Sequence, residues 1–376
     1  AGNGSTLMPV VLNGSDLIIL GEGIVNVTAI QTDEAGNQQT VGGASLSFVL
    51  DTVKPVVSQF GATTLSGNYK DGETINLVAT LSEVTQSGTS FTAVLNTGAT
   101  VVFTASSTGT VLEGSYTIGG THNANPLAVD SILPGTVLDE AGNSLATTIP
   151  SSNTFDGIVV DTTSPQPAAI ALLSSDPVSG SEATAPGGVA SVTAEPGATV
   201  DVTITGTNGT LNQSLLGTGS AQPIKLTAGN LPTLGDGLVT LTAVQTDAAG
   251  NRQILPDQTI AFTLDTVIPA TPTMDLGTGV SDGATAAEAT QAAGVVRVTG
   301  EAGASISVTL TGTAGTVTPS PIIANGVSQA VRLTSGDLNT LGEGLVIVSA
   351  VQTDAAGNTQ PIAAELTFRL DTVAPA

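Results

Sequence analysis

Cysteine is absent from this chain of 376 residues, so disulfides, thiolate chemistry and cysteine-based zinc sites are excluded. Tryptophan is also absent, and there are only two tyrosines and one histidine. Basic residues number 7 against 31 acidic ones, which gives a formal net charge of -24. This balance opposes nucleic-acid binding, which needs clustered Lys and Arg. It suits either a chain that holds hard cations through carboxylate oxygens or one whose charge serves solubility alone.

Long apolar runs are missing as well. No stretch approaches the roughly 20 apolar residues of a membrane span, so no membrane insertion is expected. The start has no basic-then-apolar signal peptide, and its first residue is Ala1 rather than Met. These features predict an excerpt or a processed product, with any targeting signal outside the sequence.

The abundant residues favour β-structure. The chain has 45 Gly and 19 Pro together with many Thr, Val and Ala, a composition that suits short strands joined by tight turns. Its length exceeds what one hydrophobic core normally organises, which predicts two to four domains. An all-β fold with several domains is therefore expected.

Two sequence blocks recur in register along the chain. The first block, Asp-x-Ala-Gly-Asn, begins at Asp33, Asp139, Asp247 and Asp354 and ends at Asn37, Asn143, Asn251 and Asn358. The second block, Asp-Thr followed by Pro, begins at Asp51, Asp161, Asp265 and Asp371. The second block recurs roughly every 105 residues, close to the roughly 100 residues of an immunoglobulin-type sandwich.

The first block stands between two strands of alternating pattern in its first, third and fourth copies. In the third copy, alternate apolar residues precede and follow the block: Val239, Leu241, Ala243, Ile260, Phe262 and Leu264. The fourth copy repeats the pattern at Val346, Val348, Ala350, Leu366, Phe368 and Leu370. The Gly-Asn pair can adopt positive φ, so the pattern predicts the last hairpin of each sandwich. The proline that follows ends the strand.

The blocks divide the chain into four predicted domains. These are residues 1–52, the C-terminal half of an Ig-like domain; 53–162, an Ig-like domain of divergent subtype; and 163–266 and 267–376, two similar Ig-like domains. The hairpin in 1–52 has an apolar face at Val25, Val27, Ala29, Leu46, Phe48 and Leu50. Because an isolated hairpin is marginal in water, we expect upstream residues or strands of another molecule to cover that face.

The paired blocks resemble the bacterial Ig-like repeats of giant type I-secreted, RTX-type surface adhesins, and the resemblance covers nearly the whole chain. It implies extracellular display of tandem immunoglobulin-like β-sandwich domains in an elongated array, with Ca²⁺ at the junctions. Neighbouring repeats of the same polypeptide are the implied partners, and a cell-surface or matrix ligand would bind parts outside this chain. The glycine-rich nonapeptide calcium repeats of such proteins are missing here.

Carboxylate and amide oxygens are the ligands that Ca²⁺ prefers. The strand-end Asp of the second block is expected at the same pole as its own turn, where the next domain begins and adds further carboxylates. The alternative is that each turn Asp bonds only its own backbone. The candidate metal ligands are Asp33, Asn37, Asp51, Asp71, Glu73, Asp139, Asn143, Asp161, Glu182, Glu195, Asp247, Asn251, Asp265, Glu288, Glu301, Asp354, Asn358 and Asp371.

Catalysis has little support in the sequence. His122 has no repeated partner and is interpreted as an exposed loop residue. A carboxylate pair for glycoside cleavage stays an open alternative, but carboxylates that recur at every domain junction indicate a structural role. The leading hypothesis is a non-enzymatic stalk or adhesive region of an extracellular bacterial adhesin or biofilm protein. The alternatives are a building block of an extracellular filament or surface layer, and spacer modules of a multimodular secreted enzyme.

Overall fold

The computed structural model describes residues 8–374; the ends of the first and last predicted domains, residues 1–7 and 375–376, lie outside the described residues. Strands take up 43% of the chain and helices 7%, so the fold is all-β, as predicted. Residues up to Thr163 together with Ala249–Asn251 form one compact unit, and Ser164–Ala248 with the residues from Arg252 onward form another. Within residues 8–374, no helix is both long and apolar enough to cross a membrane.

The first unit begins with a helix and a hairpin: α1 (Gly14–Leu20), β1 (Gly23–Ala29) and β2 (Ala44–Leu50). The strands pair antiparallel from Gly23 with Leu50 to Ala29 with Ala44. Part of the predicted inward face lies open, since Leu46 is 61% and Phe48 37% exposed. Half of a sandwich remains the prediction for residues 1–52.

The rest of the first unit has its own core. Its strands are β3 (Val57–Ala62), β4 (Gly67–Tyr69), β5 (Thr74–Thr85), β6 (Ser90–Leu95), β7 (Thr100–Thr104), β8 (Gly109–Thr117), β9 (Val129–Leu133) and β10 (Ile158–Val160). Six of them form a sheet of order β3-β5-β8-β7-β6-β9, and β10 pairs with β4 in parallel. The core is built around Phe60, Phe91, Phe103 and Phe155, which are at most 2% exposed.

Residues 168–264 of the second unit form a sandwich. The elements are β11 (Ala169–Leu172), β12 (Val178–Ser179), α2 (Gly180–Ala183), β13 (Ala190–Thr193), β14 (Thr199–Thr205), β15 (Thr210–Leu216), β16 (Gln222–Ile224), α3 (Leu231–Leu234), β17 (Gly237–Thr246) and β18 (Gln258–Asp265). The sheets have orders β11-β13-β16 and β12-β18-β17-β14-β15, and their buried side chains share one core. Two sheets on one core, with consecutive strands distributed between them, make an immunoglobulin-like sandwich.

Residues 280–370 repeat this architecture around another core. The elements are β19 (Thr273–Leu276), α4 (Ala286–Ala289), β20 (Val296–Thr299), β21 (Ser305–Thr311), β22 (Thr316–Val317), β23 (Ile322–Ile323), β24 (Gln329–Val331), α5 (Ser335–Leu341), β25 (Gly344–Thr353) and β26 (Ala364–Leu370). One sheet has the order β19-β20-β24; the other has β22-β21-β25-β26, with β23 also on β21. A parallel bridge from Ala284 to Leu370 stands where β12 pairs with β18 in the preceding sandwich.

The predicted last hairpins are confirmed in both sandwiches. Strands β17 and β18 pair from Gly237 with Leu264 to Ala243 with Gln258, and β25 pairs with β26 in the same register. Their inward residues line the cores, and Phe262 and Phe368 are 1% and 4% exposed. The turn glycines Gly250 and Gly357 have φ of 90° and 93°, which disfavours any side chain there.

Candidate metal centre

The Asp-x-Ala-Gly-Asn turns that begin at Asp33, Asp139 and Asp354 are closed by bonds between their first and last residues. Asp139 accepts the backbone N–H of Asn143 at 2.8 Å through one carboxylate oxygen and its side-chain amide at 2.9 Å through the other. Asp33 with Asn37 and Asp354 with Asn358 make the same two bonds. The turn aspartates therefore do bond their own turns, as the alternative predicts. Each carboxylate still has lone pairs that could accept a further bond or bind a cation.

The turn asparagine makes a second, long-range bond, which we call the Asn clamp. Nδ2 of Asn143 donates to the backbone carbonyl of Asp51 at 3.1 Å. Asn251 donates to Asp161 O and Asn358 to Asp265 O, each at 2.9 Å. Each clamp joins a second-block Asp to the turn that comes some 90 residues later in the sequence. One amide thus serves both its own turn and a strand end far along the chain.

This pairing corrects the expected position of the strand-end aspartates. In the first hairpin, the turn follows Ala29 and precedes Ala44, whereas Asp51 follows Leu50 at the other end. A strand of seven residues is about 20 Å long, so Asp51 cannot share a pole with Asp33 and Asn37. The same hairpin geometry separates Asp265 from its own turn. The expectation of one shared pole was wrong because it ignored the direction in which the second strand runs.

Asp51 instead meets two carboxylates of the following segment. Among the residues that the structure describes, one set of three acidic side chains places an oxygen of each within 4.8 Å of the others: Asp51, Glu83 and Asp139. Asp139 is 6% exposed, and the other two are partly buried. Glu83 lies near the end of β5 and was missing from the candidate ligands.

The electrostatics of this acidic triad reflect its crowding. Burial, together with the negative charges of Asp51 and Asp139, raises the pKa of Glu83. Burial acts to raise the pKa of Asp139 too, but the hydrogen bonds from Asn143, Gly142 and Ala141 outweigh it and lower that pKa. The triad therefore pairs an aspartate whose charge is stabilised by hydrogen bonds from its own turn with a glutamate whose ionisation is opposed by its neighbours.

Asp71 and Glu73 lie away from the triad, contrary to their expected place beside Asp51. They stand in the turn before β5, whereas Glu83 lies near the other end of that strand, about 30 Å away along an extended chain. Their turn follows Tyr69, whose carbonyl accepts the N–H of Asp161 at 2.9 Å. They therefore belong to the end of the segment where Asp161 lies.

Glu182 and Glu288 likewise lie at the strand-end pole of their own sandwiches. Each caps a short helix: Glu182 accepts the N–H of Ser179 at 3.1 Å, and Glu288 accepts that of Thr285 at 2.9 Å. Ser179 is the ladder partner of Asp265, and Glu288 lines one shallow pocket with Asp371. These glutamates were expected at the opposite pole, beside the preceding segment.

Glu195 and Glu301 lie at the turn end of their sandwiches. The N–H of Glu195 donates to the side chain of Gln245 at 2.9 Å, and that of Glu301 to Gln352 at 3.1 Å. These glutamines stand two residues before Asp247 and Asp354. Glu83, within β5, also lies beside the turn of its own segment, since its carboxylate is close to that of Asp139, so the three glutamates occupy comparable places.

A further set of carboxylates holds the Thr of the second block. Glu22 accepts the N–H of Thr52, and Glu343 that of Thr372, each at 2.8 Å, and each also bonds the threonine hydroxyl. Asp236 holds Thr266 in the same way. Each of these acids stands between two glycines, a Gly-acid-Gly signal that could have been read from the sequence. These acids bind the chain itself rather than a ligand.

Comparison with known proteins finds similarity among solved structures. No protein-family model and no curated protein matches the chain. Among solved structures, it is similar to a "tetra-tandem repeat in extending region of large adhesion protein", with 21% identity and a TM-score of 0.29 over 96% of this chain and 85% of that one. It is also similar to a "1.5-MDa bacterial ice-binding adhesin", with 22% identity and a TM-score of 0.39 over 85% of this chain and 98% of that one. Scores below 0.5 do not establish a shared arrangement of the whole chain.

Proposed function

We propose that this chain is a non-enzymatic stalk segment of a large extracellular bacterial adhesin, built from Ig-like repeats with boundaries near residues 52, 162 and 266. Its repeats are stiffened where a second-block Asp meets the turn of the following repeat, and Ca²⁺ binds at that contact. The convergence of Asp51, Glu83 and Asp139 is the observation that carries this proposal.

The donor set suits a hard divalent cation. All three side chains offer carboxylate oxygens, which Ca²⁺ and Mg²⁺ prefer, and the absence of Cys removes the soft ligands that select zinc. Ca²⁺ is favoured because it accepts six to eight oxygens in irregular geometry, whereas Mg²⁺ demands a near-ideal octahedron. A cation would also relieve the repulsion that raises the pKa of Glu83.

The Asn clamp supports the stalk part of the proposal. It occurs three times with the same donor and the same backbone acceptor, and it ties the end of one predicted repeat to the next. A contact copied at each boundary serves the mechanical continuity of a repeat array rather than a single reaction centre. At the two later boundaries the corresponding candidate ligands, proposed by analogy with the triad, are Asp161, Asp247 and Glu195, and Asp265, Asp354 and Glu301.

Calorimetry tests the cation site. Ca²⁺ bound only to the folded state adds about 2.7 kcal/mol at a concentration 100 times its Kd, so a chelator should lower the melting temperature. Glu83→Gln should abolish the part of this gain that belongs to the segment from 53 to 162. Glu140→Gln removes the same charge from an exposed residue beside Asp139 and should keep the full gain.

Small-angle scattering tests the stiffening. Chelation should shorten the largest dimension of the wild-type chain, and Asp139→Asn should shorten it even with calcium present. Melting and scattering curves that are unchanged by chelator would rule out calcium at these contacts.

A further inference from the structure

The single histidine of the chain lies in a loop after β8, and its bonds fix its tautomer. Nδ1 of His122 accepts the backbone N–H of Gly119 at 2.9 Å. A backbone N–H can only donate, so this nitrogen carries a lone pair and the proton of the neutral ring is on Nε2. The hydroxyl of Tyr116, 2.8 Å from the same Nδ1, is therefore a second donor to it. His122 is thus a partly buried acceptor, not the exposed loop residue that the sequence suggests.

The loop that His122 closes also holds the second block of this segment. The hydroxyl of Thr162 lies 3.2 Å from the carbonyl of Gly120 and 3.1 Å from that of His122. The N–H of Thr162 donates to the side chain of Asn123 at 2.8 Å. The corresponding threonines Thr52, Thr266 and Thr372 are held by a carboxylate instead. Of the four described segments, only this one holds its second-block threonine through a loop, residues 119–123, whose conformation His122 stabilises.

We propose that residues 119–123 form an acid-sensitive latch on Thr162, opened by protonation of His122. Once Nδ1 carries a proton, it can no longer accept the bonds from the N–H of Gly119 and the hydroxyl of Tyr116. It becomes a donor that faces two other donors. Both bonds break, the loop keeps only the backbone bond from the His122 N–H to the Gly119 carbonyl, and the carbonyls of Gly120 and His122 leave the hydroxyl of Thr162. The proposal does not depend on bound calcium.

The groups around the ring define what else can respond to pH. Tyr116 comes from β8; burial raises its pKa, so its hydroxyl keeps its proton and stays a donor. The loop between β6 and β7 contributes the uncharged Thr97, 3.3 Å from the Tyr116 hydroxyl. The turn before β5 brings the Asp71 carboxylate beside Gly120, and Asp161 directly precedes Thr162. Both carboxylates remain in every variant below, so comparing variants isolates the imidazole.

Hydrogen exchange read as protection factors tests the latch on the full chain in chelator. When the pH falls from 7.5 to 5.0, the amides of Gly119 and Thr162 should lose about tenfold in protection. His122→Asn places an amide oxygen where Nδ1 stands and does not titrate, so its protection should stay constant. His122→Ala lacks the acceptor and should be poorly protected at both pH values.

Exchange in β5 reports global stability and should be the same for wild type and His122→Asn at both pH values. An equal loss of protection in wild type and His122→Asn would assign the effect to other groups and overturn the proposal. So would unchanged protection of Gly119 and Thr162 in the wild type. Because no calcium is present, failure here is distinct from failure of the proposed cation site.

Discussion

The side-chain amide of Asn143 donates to the backbone carbonyl of Asp51, 92 residues earlier in the sequence. The same residue closes its own turn by bonding Asp139. The bond satisfies a partly buried carbonyl just after β2, where the ladder has stopped. A single asparagine therefore couples the order of a local turn to the position of a distant strand end.

Removing the clamp should loosen the strand end without unfolding the sandwich. In chelator, Asn358→Ala should lower protection of the amides at Asp265–Val267 by about fivefold, as expected for one net hydrogen bond of about 1 kcal/mol. Asp354→Ala also breaks the turn bonds but leaves the amide of Asn358 able to reach Asp265, so it should retain most of that protection. Protection in Asn358→Ala equal to that of the wild type would mean that the clamp contributes nothing.

The sequence predicts the hairpins because their physics is local. Alternation at Val239, Leu241 and Ala243, with a Gly-Asn turn, is sufficient to place one face inward, and the structure buries all three. The two-sheet topology follows from recurrence at the length of an immunoglobulin-type domain. Both signals are carried by neighbouring residues or by simple spacing.

The grouping of the acidic residues is not local, and the sequence predicts it only in part. Which loop reaches which pole depends on strand direction and sheet order, so Asp71 and Glu182 were placed at the wrong end of their segments. Glu83 was missed because its segment is a divergent subtype, with no Glu-x-Gly-Ala motif to mark the position that Glu195 and Glu301 occupy. The Gly-acid-Gly signal before Thr52, Thr266 and Thr372 is visible in the sequence, but its partner lies about 30 residues away.

Glu83→Gln should have opposite effects with and without calcium. The folded state raises the pKa of Glu83, so its contribution to stability is fully present below the ordinary value of 4.5 and is lost as the pH rises through the folded value. At pH 7 in chelator, removing the charge should therefore raise the melting temperature, and the gain should vanish below pH 4.5. With calcium present, the same substitution removes a ligand and should lower the melting temperature.

The control for this reversal is Glu140→Gln, which changes net charge equally at an exposed position. It should shift the melting temperature little in either condition. A Glu83→Gln variant that is destabilised in chelator as well as in calcium would show that the carboxylate contributes a favourable contact of its own.

The hold of Glu343 on Thr372 should weaken in acid. Hydrogen bonds from the side chain and then the backbone of Thr372 lower the pKa of Glu343. The bond's contribution is therefore present above the ordinary value of 4.5 and is lost as the pH falls through the lower, folded value. Protection of the Thr372 amide should fall over this range in the wild type. Glu343→Gln keeps an acceptor without a titrating charge, so its protection at Thr372 should not change with pH.

Two phenylalanines at equivalent hairpin positions should differ sharply in importance. Phe48 faces Val25 across its ladder and Phe368 faces Val346, yet Phe48 is 37% exposed and Phe368 only 4%. Phe368→Ala opens a cavity in a closed core and should cost about 3–5 kcal/mol. Phe48→Ala removes a side chain that keeps much of its contact with water, and it should cost less than about 1 kcal/mol.

Hydrogen exchange in β25–β26 and in β1–β2, followed through denaturant titrations, measures the two losses separately. Protection of β1–β2 should already be low in the wild type, because a two-stranded hairpin with an open face is marginal in water. A cost for Phe48→Ala as large as that for Phe368→Ala would contradict the exposed face and show that it is covered in solution. Repeating the measurement across a range of protein concentrations would then identify the cover: protection that rises with concentration requires a second copy of the chain, and constant protection requires a segment of the same molecule.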